Sequence, residues 1–144
     1  MSKNKKSFTL IEVLIFVSIL SLFFVAAASV TIVSLRNLKV QEHKILATRY
    51  AEELLEWLRG EKEADWNDFV NHSSPLGSTY CFNLLNWSSG ECTNYGLNNF
   101  YKRWATLTSQ GSPPPQVYIS IIVEWRELGQ IYQVPLNTVF TVWE

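Results

Sequence analysis

The feature that most restricts this chain is an unbroken apolar run near its start. Residues 8–35, FTLIEVLIFVSILSLFFVAAASVTIVSL, fill 28 positions with a single charge, Glu12, and with neither Gly nor Pro. As an α-helix the run reaches about 42 Å, more than the roughly 30 Å hydrocarbon core of a bilayer. It is apolar on every face, whereas a helix at the edge of a soluble core keeps a polar stripe. A membrane-embedded helix is expected. Composition conceals it: the mean hydropathy of +0.01 averages this segment with a polar remainder. The net charge of −1 at 144 residues gives no global basic field for nucleic acid, and the length suits one folded domain.

Ahead of the run, MSKNKKS carries Lys3, Lys5 and Lys6 and no acid. Those lysines are expected to stay cytoplasmic, which sends the chain after Leu35 across the membrane. A conventional signal peptide cut near Ala26-Ala27-Ala28-Ser29 fits less well, because its apolar region is about 7–15 residues and carries no carboxylate near its start. A carboxylate inside an apolar helix needs a partner or a function. From the residues alone, Glu12 either reaches back to Lys5, Lys6 or lipid headgroups, or has some other partner or function.

The string Lys5-Lys6-Ser7-Phe8-Thr9-Leu10-Ile11-Glu12-Val13-Leu14 resembles the processing signal of type IV prepilins and the related pseudopilins. That signal is a short basic leader, a small residue, then Phe-Thr-Leu-Ile-Glu opening an apolar helix. The resemblance implies cleavage by a prepilin peptidase between Ser7 and Phe8, on the cytoplasmic side, and N-methylation of Phe8. It also implies that the new Phe8 amine pairs with Glu12 of a neighbouring subunit during filament assembly. The family favours Gly where this chain has Ser7. Other pilin subunits, membrane lipid before assembly and the inner-membrane assembly machinery are the implied partners. The final segment, Val134-Pro135-Leu136-Asn137-Thr138-Val139-Phe140-Thr141-Val142-Trp143, is similar to the closing strand region of some minor pilins.

Neither Gly nor Pro occurs before Gly60, so one helix is expected from Phe8 to Arg59. Beyond Arg36 it becomes amphipathic: Ala47, Tyr50, Ala51, Leu54, Leu55 and Leu58 form a stripe at three- and four-residue spacing. The stripe is expected to pack on a sheet. Residues 60–77 read as a polar connection whose acids form a solvated face. Strands are expected at Ser78–Leu85, Asn99–Leu107, Gln116–Trp125 and Gln130–Trp143. Val117, Ile119, Ile121, Val123 and Trp125 alternate on one face, while Pro135 marks a bulge, an edge or a break. The expected organisation is a 1–7 leader, an 8–35 membrane and filament-core helix, a 36–59 amphipathic continuation and a 60–144 β-rich head. The fold class is α+β and pilin-like.

Cys81 and Cys92 lie eleven apart with Ser88-Ser89-Gly90 between them. In an exported domain they are expected to form a disulfide. Metal and cofactor sites are not expected, since His43 and His72 lie apart from the cysteines without ligand spacing. No G-x-S-x-G, H-E-x-x-H or P-loop string is present, and the chain does not read as an enzyme. The Trp residues read mostly as core. Lys102-Arg103 beside Tyr101 and Trp104 could meet single-stranded nucleic acid, but reads better as a solvated strand edge. Asn71-His72-Ser73 and Asn86-Trp87-Ser88 are sequons by pattern. The sequence thus points to a structural subunit of a type IV pilus or related filament, exposed at the cell surface after assembly. Alternatives are a type II secretion pseudopilin and an uncleaved single-pass protein presenting a binding head.

Overall fold

The structure is a computed structural model, and it describes residues 9–111, 113 and 115–143. The long helix α1 (Leu10–Ala64) and the short helix α2 (Trp66–Asn71) precede four strands, β1 (Ser78–Cys81), β2 (Tyr101–Gln110), β3 (Gln116–Glu127) and β4 (Gln130–Phe140). The fold class is α+β, with the pilin-like combination of a long N-terminal helix and a small antiparallel sheet. The chain divides into two units, residues 1–40 and 41–144.

Within the first unit α1 is apolar all round as far as Leu35, and none of its described residues is buried. Four of its hydroxyls bond locally. The hydroxyls of Ser18, Ser21, Ser29 and Thr31 donate to the carbonyls of Leu14, Val17, Val25 and Ala27, one turn back, at 2.7–3.0 Å. A hydroxyl in lipid has no water to bond, so this is the arrangement a helix surrounded by hydrocarbon requires.

The second unit holds the core. Ala47, Ala51, Leu54 and Leu58 of α1 are fully buried, and Tyr50 and Leu55 pack beside them. The two alanines let the helix approach closely, and the leucines fill the space against the sheet. That sheet is an antiparallel meander in the order β1-β2-β3-β4. Alternation gives its inner face: Tyr101, Ala105 and Leu107 of β2, and Val117, Ile119, Ile121, Val123 and Trp125 of β3, are all buried. Pro135 sits in the edge strand β4 opposite Ile122, where a missing N–H costs no ladder bond on the open side.

Several boundaries differ from the sequence expectation. Helix α1 continues through Gly60 to Ala64, because the surrounding Glu, Lys and Ala are good helix formers and a single Gly costs only about 1 kcal/mol. The stretch read as a polar connection also contains α2. Asp65 caps it, accepting from the backbone N–H groups of Asn67 and Asp68 at 2.8 and 3.1 Å. Strand β1 stops at Cys81, where the chain leaves the edge toward Cys92. Strands β2 and β3 run further than expected, to Gln110 and Glu127, and β4 ends at Phe140.

The largest correction concerns Lys102 and Arg103. Strand β2 lies between β1 and β3, so it is not an edge, and Arg103 is only 1% exposed on the inner face. Its guanidinium donates to the carbonyls of Phe82 and Tyr50 at 2.9 and 2.6 Å and pairs with Glu53 at 2.8 Å. One side chain therefore ties α1, β2 and the segment after β1 together. Burial pulls its pKa down, the Glu53 contact opposes that, and an arginine starting so high stays charged.

Candidate functional site

The residues that carry chemistry in the first unit stand at the helix start. Thr9 occupies the N-cap position and Glu12 the third helical position. The Glu12 carboxylate accepts from the Thr9 backbone N–H at 2.9 Å and from its hydroxyl at 3.0 Å, while the Thr9 Oγ1 accepts from the Glu12 N–H at 3.4 Å. This is a reciprocal capping box, which satisfies two helix-end donors that hydrocarbon could not. The Thr-x-x-Glu spacing before an apolar run was the available signal for it, and reading Glu12 only against the lysines or another chain passed over Thr9. Ser7 and Phe8, the expected cleavage and methylation positions, lie outside the described residues, as do Lys5 and Lys6.

Around this cap the helix surface is large, apolar and open. Leu10, Phe16, Leu22, Phe23, Phe24 and Val30 are each more than three-fifths exposed. A surface of this length has no stable place in water. It is long and apolar enough to cross a membrane, and its one carboxylate sits at the end where the chain would leave the hydrocarbon.

Residues 2–28 match the family model described as the prokaryotic N-terminal methylation motif. That segment is the type IV prepilin leader signature. The match spans the basic leader, Ser7-Phe8, the Thr9–Glu12 cap and much of the apolar helix. With the apolar helix behind it, the signature fits a membrane-anchored, pilin-like precursor of the pilin or pseudopilin kind. No curated protein and no solved structure shows a significant match to the chain.

The second unit contributes a scaffold. Cys81 and Cys92 are joined by a disulfide, with Cα atoms 4.8 Å apart. It fastens the segment after β1 beside β2, where Cys92 is nearly buried. On the outer face of the sheet, Lys102 pairs with Glu124 at 3.0 Å and lies over the rings of Tyr95 and Trp104. Glu124 also accepts from the Tyr95 hydroxyl at 2.7 Å and from Gln133 at 2.8 Å. Burial pushes the Glu124 carboxyl up, but the hydrogen bonds from Tyr95, Gln133 and Lys102 and the Lys102 charge outweigh it, leaving the pKa below the usual carboxylate range. The basic and aromatic cluster is thus engaged within the fold: Arg103 faces inward and Lys102 is held by Glu124.

Aromatic rings pack the two ends of the sheet against the helices. Trp87 stacks on His72 at 3.9 Å, meets Tyr80 and Trp57, and donates its ring N–H to Glu61 at 3.0 Å. At the other end His43 stacks on Phe100 and shares a 2.6 Å hydrogen bond with the Tyr101 hydroxyl. Burial, together with Tyr50, Glu42 and Glu127, pushes the Tyr101 phenol up to about 12, so it remains protonated in that bond at any ordinary pH. Among the described residues no His, Cys, Asp or Glu group gathers in a way that could hold a metal ion. Trp143 differs from the other tryptophans by lying 87% exposed.

Proposed function

We propose that this protein is a structural subunit, rather than an enzyme, of a type IV pilus or related filament. It enters the membrane with its basic leader in the cytoplasm, and a prepilin peptidase cuts between Ser7 and Phe8. The new Phe8 amine is methylated. The subunit then waits in the bilayer on its apolar helix, with the β-rich unit on the far side, until the assembly machinery moves it into a filament at the cell surface.

The observation that carries this reading is the leader signature over residues 2–28 continuing directly into an exposed apolar helix. A surface of this kind needs lipid at one stage, and other subunits' helices can replace lipid at the next. Glu12 gives the exchange a polar component. In the Thr9 cap it is locally satisfied, and a neighbouring Phe8 amine would offer it an opposite charge in a medium of low dielectric. Phe8 and Glu12 are accordingly the proposed assembly residues.

The deciding experiment is intact-mass and N-terminal analysis of protein purified from membranes. A chain starting at methylated Phe8 supports the filament reading. A chain that keeps Lys5-Lys6-Ser7 would leave a simple membrane anchor and overturn it.

A further inference from the structure

The hairpin between β3 and β4 turns on Leu128 and Gly129, with Glu127 paired to Gln130. Both turn residues have positive φ, 50° at Leu128 and 79° at Gly129. A two-residue turn of this kind normally takes Asn, Asp or Gly at its first position. A leucine there strains the backbone and gains nothing from the fold, because its side chain is 78% exposed. Beside it Ile131 is 54% exposed, and its cross-strand partner Arg126 is also exposed. Glu127, the acid of the turn, is half-buried with one carboxylate oxygen shielded from solvent, and Arg126 is the exposed cation of the tip.

The position of this tip within its unit names an occupant. Trp125 and Tyr101 lie beside His43, whereas Phe140, at the opposite end of β3's pairing, lies beside Phe69 and Lys62. The tip is therefore at the end of the unit where the chain enters at Gln41. Gln41 is only six positions beyond Leu35, the last residue of the apolar run, a tether of at most about 22 Å even when extended. We propose that the β3–β4 hairpin tip is a lipid-contacting element: Leu128 and Ile131 enter the headgroup region of the bilayer and Arg126 meets anionic headgroups, holding the unassembled subunit against the membrane. An exposed apolar tip with one cation has the composition of an interfacial anchor, and the tether keeps it at high effective concentration beside the surface. The inference rests on the membrane placement of the apolar helix proposed above.

The test uses the full chain, with its disulfide intact, in vesicles of phosphatidylethanolamine and phosphatidylglycerol. An environment-sensitive fluorophore is placed at L128C or, as control, at L76C, whose leucine is 99% exposed in the loop before β1. Blue-shifted emission at position 128 and its quenching by a headgroup-level nitroxide lipid, with neither at position 76, is the expected result. A label at Q130C should lose most of its quenching when Leu128→Asn is added, and that change relieves the turn strain, so misfolding would not account for the loss. Vesicle flotation without quenching at position 128, or with equal quenching at both positions, overturns the proposal while leaving the membrane helix intact. An emission shift at 128 that appears only as protein density in the vesicles rises would assign the tip to a second copy of the chain, and also overturns it. Failure to float would remove the membrane reading and this inference together.

Discussion

Arg103 shows how much one residue can decide in a domain this small. A buried guanidinium is tolerated because its charge meets Glu53 and its N–H groups meet two backbone carbonyls. Glu53 is half exposed, so the ion pair itself is screened and adds little. The carbonyl contacts matter more. Arg103→Leu should cost about 3 kcal/mol, from lost hydrogen bonds and unsatisfied polar groups, and Glu53→Gln under about 1 kcal/mol; urea denaturation in detergent micelles would compare them. At Glu124 the folded pKa is depressed, so its contribution is present above the unfolded carboxylate value of about 4.3 and is lost as pH falls through the lower folded value. Thermal unfolding should therefore separate wild type from Glu124→Gln at neutral pH, and the gap should narrow steadily as the pH falls below the usual carboxylate range.

At the scale of elements, the second unit is a four-stranded meander closed by a helix stripe and by one covalent staple. Strand β1 has only four residues and sits at an edge, so its pairing alone holds the following segment weakly. The Cys81–Cys92 disulfide closes a short loop over that region. In the chain-entropy view such a loop contributes somewhat under about 3 kcal/mol. Replacing both cysteines by Ser should lower stability by about 2–3 kcal/mol and raise hydrogen exchange first in β1 and the segment after it, while β3 stays protected. Uniform loss of protection across all four strands would show that the staple supports the whole sheet.

For the molecule as a whole, the division of labour follows the division of chemistry. The first unit carries the apolar surface and one carboxylate, and the second carries the aromatic core, the buried arginine and the disulfide. Cutting before Phe8 would remove Lys3, Lys5 and Lys6, three positive charges, and shift the net charge from −1 to −4. Glu12→Gln should keep membrane insertion and processing, because a neutral amide still reaches Thr9 and burdens the helix less, yet should reduce recovery of the subunit in sheared filaments. Wild-type recovery with Glu12→Gln would remove Glu12 from assembly.

The sequence by itself determined the apolar helix, the stripe on its second half, the inner face of β3, the α+β class and the leader signature. Each is written in a local pattern: a composition, a period of 3.6 or of 2, or a short string. Only the tertiary structure decided the rest, and the reason is that neighbours in space set burial. Lys102-Arg103 reads as a solvated edge, but β2 is an inner strand and Arg103 falls in phase with the buried Tyr101, Ala105 and Leu107, so it faces the core, where Glu53 and two carbonyls receive it. The partners of Glu124 follow the same rule: Tyr95, Lys102 and Gln133 reach it from other segments, and no local pattern carries that information.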